Sequence, residues 1–504
     1  MRITLTLLAL LGLGAHLRAD VVPAPLFTDN AVLQREKPVP VWGKAAPGEK
    51  VTVTFAGQTV ATTADASGRW SVTLAALPAR HEGSDLVIRG DNTLTLANVV
   101  VGEVWIASGQ SNMAWNVKKT YDQALSIPAS ARLPLIRHIK IRRTVAEAPA
   151  DTVAIEGAAW QVAGPETTGG FTAVGYYFAK DIHEVTGVPV GIIGSNWSGS
   201  LIEGWIDSDS LHPSNGAPFR AVHERWAKAL ADYPEAKARH AAAVAAWKQE
   251  RDAAKAAGQP FAKRQPRGPR GPGSSSTPSG LYNAMIHPLV PYALRGAIWY
   301  QGESNIGRHS EYRELFPAMI AGWRSKFGQG DFPFYWVQLA NHGSPAGIHW
   351  ALLREAQTQT LALPATGQAV ILDIGNSRNI HPGNKQDVGR RLARLALNRT
   401  YGVAMPDSGP VFAKVERADA GLRVSFTETA GGLIAPLNEL YGFELAGEDK
   451  VFKPAEARIE GDTVLVTSAD VPVPVTVRYA WRDAPVAGLF NREGLPAVPF
   501  QRHL

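Results

Sequence analysis

The chain has 504 residues, 45% of them hydrophobic and 19% charged, with a formal charge of +6 and no cysteine. That length exceeds one ordinary domain, and the composition excludes a disordered chain. The missing thiols exclude disulfides, a cysteine nucleophile and a cysteine-ligated zinc site.

In chain order, the first residues stand apart. Arg2 precedes an apolar run at 3–14, and Leu17-Arg18-Ala19 meets Asp20. A basic start, a short apolar stretch and a small residue at the junction predict a secretory signal over residues 1–19, cleaved after Ala19. Its loss removes two charges and leaves +4. The apolar stretch is too short to span a bilayer, and no other run of about 18 apolar residues occurs. The chain is therefore expected in the periplasm or outside the cell, without membrane insertion.

Residues 20–98 carry short stretches rich in Val and Thr at 50–56, 58–63, 69–74, 86–89 and 93–96, separated by turn signals such as Pro47-Gly48 and Ser67-Gly68. This pattern predicts a small β-sandwich. From residue 99 continuous apolar runs take over, at 99–107, 188–194, 297–300, 334–339 and 370–372. Helical patterns lie between and after them, at 174–185, 311–327, 350–361 and 385–399. Unbroken apolar runs suit parallel strands covered on both faces. Strand alternating with helix predicts an α/β unit with a doubly wound parallel sheet over residues 99–403.

An insertion at about 212–280 interrupts that unit. Residues 223–257 are rich in Ala, Lys and Glu with Pro234 inside, which predicts two solvent-facing helices. Residues 265–280 read Q-P-R-G-P-R-G-P-G-S-S-S-T-P-S-G, a composition that cannot build a core and predicts a mobile loop, either a lid or a surface insertion. Much of the positive excess sits in 255–270 with no stripe of arginines and aromatics, so nucleic acid is not an expected partner. Residues 404–504 return to strands, at 422–427, 463–467 and 475–480, and predict a second β-sandwich.

Four of the apolar runs are followed by polar loops. G-Q-S-N-M (109–113) follows the first, G-S-N-W-S-G-S (194–200) the second, Q-G-E-S-N (301–305) the third, and D-I-G-N-S-R-N-I-H-P (373–382) the fifth. Ligands of open α/β sheets bind at the carboxyl ends of the strands. Each residue type there has work in acyl transfer. Ser111 is a candidate nucleophile, but a hydroxyl needs a base beside it, and His381 titrates in the right range. The Ser111 backbone N–H, a glycine N–H after the second run and the Asn305 amide are candidate donors to an oxyanion. Met113 stands where the Gly-x-Ser-x-Gly elbow of α/β-hydrolases would need glycine, so that turn is excluded. A second Ile-His-Pro holds His287, but it precedes a strand, whereas His381 follows one.

G-Q-S-N-M, W-Y-Q-G-E-S-N and I-H-P-x-N-K-Q together resemble the sialate O-acetylesterase family of carbohydrate esterases, a branch of the SGNH hydrolases. L-Y-N-A-M-I-H-P-L, L-R-E-A-Q and R-Y-A-W-R-D-A-P extend the resemblance over most of the chain. It implies Ser111 as nucleophile, His381 as base, Asn305 as an oxyanion donor and Gly199 as the glycine donor, although Ser198 stands where relatives usually show a first glycine. SGNH hydrolases often place an acid three residues before the base, and closer relatives two before; here those positions are Arg378 and Asn379. Either a Ser–His dyad operates or the acid comes from elsewhere, and Asp373 is the candidate.

Gln110, Gln301 and Glu303 are candidates for substrate contact. The alternatives are that the glutamines hold the two loops together and that Glu303 makes structural hydrogen bonds. Trp115 and Trp197 could stack on a sugar or pack in the core. No His spacing or acidic cluster suggests a metal, and no cofactor is expected. The expected activity is an exported serine esterase acting on an acetylated carbohydrate, sialate-like or of the plant cell wall (xylan, xyloglucan, pectin). A non-catalytic glycan-binding protein is the rival of another class; a lipase is disfavoured by the polar insertion.

Overall fold

Strand β1 (Thr93–Gly109) is the axis of the fold. Its first half pairs antiparallel with Arg80–Arg89, inside a β-sheet unit built by residues 22–109. Its second half is buried at every residue from Val99 to Gly109 and runs parallel to neighbours on both sides. The division expected at 98/99 thus falls inside one continuous strand. The computed structural model describes residues 20–344, 346–436 and 439–504, so the signal expected over 1–19 lies outside the described residues.

The large mixed sheet continues through β2 (Ile136–Ile141), β3 (Ile155–Val162), β4 (Val190–Asn196), β5 (Gly296–Tyr300), β6 (Phe334–Val337) and β7 (Thr366–Ala369). Their spatial order is β3-β2-β4-β1-β5-β6-β7, all parallel except the edge strand β3. The chain builds one side of β1 first and the other side afterwards. β1 is therefore the point where the strand order reverses, and the crevice beyond its carboxyl end is the natural ligand position.

Helices cover both faces, and side-chain alternation in β6 makes this visible. Tyr335 stacks on Trp105 at 5.9 Å, and Trp105 meets Phe178 of α2 (Ala173–Thr186) at 5.0 Å. The flanking Phe334 and Trp336 point the other way, to Trp323 at 5.8 Å and Phe316 at 5.1 Å on α4 (His309–Phe327). Further helices are α1 (Ser111–Ala114), α3 (Ala217–Ala256), α5 (His349–Gln359) and α6 (Gln386–Arg399), and a short one spans Gln123–Ala129.

Three expectations are corrected. The last parallel strand is Thr366–Ala369, with its register ending at the Val337–Ala369 pair; Val370 and Leu372 instead enter the core of the carboxyl-terminal unit beside Leu422, Val424 and Tyr479. Strand β2 escapes notice in the sequence because I-R-H-I-K-I carries Arg137, His138 and Lys140 among its apolar residues. The insertion forms one 40-residue helix, α3, with Pro234 inside it, since its Ala, Lys and Glu run carries helical propensity past the proline. The segment expected to be a mobile loop lies back along that helix. His240 bonds the Pro266 carbonyl at 3.2 Å, the indole of Trp247 donates to the Lys263 carbonyl at 2.7 Å, and Ser279 N–H donates to the Glu203 carbonyl at 2.9 Å.

Residues 411–503 form two four-stranded antiparallel sheets and a two-stranded ribbon around Phe443, Tyr479 and Phe500. No helix among the described residues is long and apolar enough to cross a membrane.

Candidate active site

Glycine lets β1 and β5 end close together. Gly109 has φ +132°, and a Cβ there would lie 2.2 Å from the Tyr300 carbonyl oxygen. The next turn is equally restricted: Gly302 has φ +146° and its missing Cβ leaves room for Leu353. Only glycine fits such positions. Between them the chain turns into α1, whose first residue is Ser111, half-buried, with its N–H free of any protein acceptor among the described residues.

His381 arrives from the opposite flank, 270 residues later, and its Nε2 lies 2.8 Å from Ser111 Oγ. The ring stacks on Trp115 at 5.1 Å and 16°. Its backbone N–H donates to Asn379 Oδ1 at 3.0 Å, so the side chain two residues before the base holds the main chain and leaves the ring alone. Nδ1 has no hydrogen-bond partner among the described residues. Burial, then the nearby charges of Lys385, His342 and Lys119, lower the imidazole pKa below its usual 6.5 and favour the neutral base.

Asp373 makes no hydrogen bond to His381 among the described residues. Both its oxygens are taken by Arg391 of α6, and it follows the observed end of β7 by four residues. The reason is local: Arg391 also donates to the Val370 carbonyl, which fastens the start of the 370–381 segment to the helix.

Asn305 is buried, with Oδ1 accepting from Gln301 Nε2 at 2.8 Å and Ile202 N–H at 3.1 Å. Its Nδ2 donates to Glu203 Oε2 at 3.0 Å, and the second amide hydrogen has no acceptor among the described residues. Arg308 completes the arrangement by pairing with Glu203 Oε1 at 3.1 Å. Gly199 is exposed at φ +77°, and its N–H also lacks a protein acceptor among the described residues.

The candidates for substrate contact serve the loops instead. Gln301 is fully buried; it donates to the Ser200 carbonyl and Asn305 and accepts from Tyr312. Gln110 Oε1 accepts Ser304 N–H at 3.3 Å. Glu303 is buried and its Oε1 accepts from Asn112 at 2.6 Å. These side chains brace one strand end against the next. His287 packs on Tyr282, and the imidazole bonded to Ser111 is that of His381. Among the described residues no group of three His, Asp or Glu side chains could hold a metal ion.

Sequence reasoning missed Glu203, Asn112 and Lys385. Asn112 and Lys385 were inside the quoted motifs, so their motif membership was the available signal; Glu203 in S-L-I-E-G-W had none.

A family model for "Carbohydrate esterase, sialic acid-specific acetylesterase" matches residues 273–398. Sialate O-acetylesterase of Rattus norvegicus is 30% identical over 433 residues, covering 77% of this chain and 76% of that protein. The chain belongs to the sialate O-acetylesterase family. The Homo sapiens sialate O-acetylesterase is 28% identical over 435 residues, 78% of this chain and 74% of the relative. A crystal structure of a carbohydrate acetylesterase from Xanthomonas citri is 38% identical, with a TM-score of 0.80 over 96% of this chain and 99% of that one. As a member of this family the chain is a carboxylic ester hydrolase.

Proposed function

We propose that this esterase removes O-acetyl groups from a carbohydrate by acyl transfer through Ser111, with His381 as general base. The observation carrying this reading is the 2.8 Å contact between Ser111 Oγ and His381 Nε2. Nε2 takes the hydroxyl proton as Oγ bonds to the acetyl carbonyl carbon. The N–H groups of Ser111 and Gly199 and the free amide hydrogen of Asn305 stabilise the oxyanion. Collapse expels the sugar oxygen, which receives the proton from Nε2. Water, deprotonated by the same nitrogen, then attacks the acetyl-enzyme; the bond to Oγ breaks, Oγ takes the proton back from Nε2, and acetate leaves. The reaction runs as a Ser–His dyad, with Trp115 rather than an acid keeping the ring in plane.

The doubly wound SGNH arrangement, with a β-sandwich at each end bracing it, belongs to the same reading, as does export directed by residues 1–19. The sialate O-acetylesterase relatives favour an acetylated sialic acid as substrate. The Xanthomonas citri neighbour is described as a carbohydrate acetylesterase, a description wide enough to keep acetylated plant polysaccharide as the second candidate. Acetate release from acetylated sialic acids, xylan, xyloglucan and pectin tests both. Ser111→Ala should lower turnover about a thousandfold or more on whichever is cleaved; equal turnover by the variant removes Ser111 from the mechanism.

A further inference from the structure

Behind the nucleophile lies a chain of buried polar groups that the acyl-transfer steps do not use. Asn112, next to Ser111, is its centre. Its Nδ2 donates to the carbonyl of Ile380, the residue before the base, at 3.0 Å, and to Glu303 Oε1 at 2.6 Å. Its Oδ1 accepts from Lys385 Nζ at 2.6 Å. Lys385 has no exposed surface, and its ammonium lies 5.4 Å over the Tyr300 ring and 6.0 Å over Trp115, the ring that stacks on His381. One amide therefore links the neighbour of the nucleophile to the neighbour of the base. Free to flip, it would present its oxygen to the Ile380 carbonyl and lose that link. A cation on the oxygen side and a carboxylate on the nitrogen side forbid the flip.

We propose that Lys385 and Glu303 are positioning residues that act through the Asn112 amide to hold His381 within reach of Ser111. Burying a lone ammonium here is otherwise costly, and the nearest opposite charge is Glu303, reached across Asn112. Burial lowers the Lys385 pKa to about 7 and raises that of Glu303. The groups facing Lys385 are Glu303 and Tyr300 from the β5 end, Asn112 and Trp115 from the nucleophile turn, and His381 from its own loop; Asp387 on its own helix is engaged by Asn384 and Arg390. Tyr300 stays neutral, its pKa raised well above 10 by burial. Loss of the lysine proton as pH rises weakens the hold on Asn112 and gives turnover an alkaline limb. Replacing the Glu303 charge favours that loss and moves the limb to lower pH.

This inference rests on the Ser–His reading, and the experiment separates them. The kcat and KM of wild type, Ser111→Ala, Lys385→Met, Lys385→Arg and Glu303→Gln are measured on p-nitrophenyl acetate across pH. With Ser111→Ala inactive, the expected result is a kcat about tenfold or more lower in Lys385→Met, KM unchanged and partial rescue by arginine. The alkaline limb should lie at lower pH in Glu303→Gln. A Lys385→Met kcat within about twofold of wild type, or an unmoved limb in Glu303→Gln, overturns the positioning role while the dyad stands. Should Lys385→Met fail to fold, the limb in Glu303→Gln decides. An active Ser111→Ala overturns both.

Discussion

Asp373 and Arg391 meet tooth to tooth, with Arg391 Nη1 and Nη2 each 2.6 Å from one carboxylate oxygen. The pair fixes this carboxylate against α6, and neither oxygen bonds His381 among the described residues. Asp373→Asn should therefore keep acetate release within a few-fold of wild type. A serine hydrolase whose acid orients its histidine loses roughly ten-thousandfold on the same change. The loss should appear in stability, about 1–3 kcal/mol for a charge-assisted pair left half-made, read by denaturant unfolding. A collapse of kcat with stability intact would return Asp373 to the mechanism.

His381 sets the acid side of the pH profile. Burial and the neighbouring cations hold its pKa below 6.5, so the unprotonated base persists to lower pH than a free imidazole would. As pH falls through that lowered pKa the base is protonated and kcat/KM declines, with the half-maximal point below pH 6.5. Lys119, whose Nζ lies 5.3 Å over the Trp115 ring, contributes to this lowering. Lys119→Gln should shift the acid limb upward, and a shift downward would contradict the sign.

Trp115 is the nearest thing to a third member of the dyad. Its stack on the imidazole restrains a ring whose Nδ1 has no partner among the described residues. An aromatic pair contributes about 0.5–1.5 kcal/mol beyond burial. Trp115→Ala should thus lower kcat by up to about tenfold on a small ester with KM unchanged. A rise in KM with constant kcat would instead make Trp115 a substrate platform.

The parts of this site that were legible in the sequence share one property. Ser111, Asn305 and His381 each follow an apolar run and have a distinct chemical use, so strand-end position and residue type together single them out. Asp373 follows a run too, but it pairs with Arg391 on the next helix, and nothing in the spacing ties the two. Gln301 and Glu303 looked like substrate contacts because polar residues at strand ends read the same whether they face a ligand or a neighbouring loop. Local pattern also failed at Pro234, where surrounding propensity outweighs one lost hydrogen bond, and at Ile136–Ile141, where charged residues lie in a buried strand.

Glu203 deserves the test that its invisibility in sequence denied it. It accepts from Asn305 Nδ2 at 3.0 Å and so aims the remaining amide hydrogen. Asn305→Ala removes the donor outright and should cost about a hundredfold or more in kcat. Glu203→Ala leaves the donor present but unaimed, and should cost less than Asn305→Ala while moving kcat and not KM. Equal activity of Glu203→Ala and wild type would mean that Gln301 and Ile202 alone fix the amide.

The carboxyl-terminal unit reaches this site through one buried guanidinium. Arg354 of α5 has no exposed surface and donates to four carbonyls, those of Leu339 and Ala340 after β6 and those of Arg482 and Asp483. The Asp483 carbonyl also accepts His342 N–H, and His342 Nδ1 bonds the Asn376 carbonyl in the segment leading to His381. Removing the guanidinium strands the Leu339, Ala340 and Arg482 carbonyls, at about 1–3 kcal/mol each before relaxation, while Asp483 keeps the His342 donor. Arg354→Met should therefore destabilise the whole chain by more than about 3 kcal/mol. His342→Phe breaks only the last link, and should leave the unfolding midpoint near wild type while lowering kcat. If it lowers stability as much as Arg354→Met does, the bracing runs through packing and not through this line of hydrogen bonds.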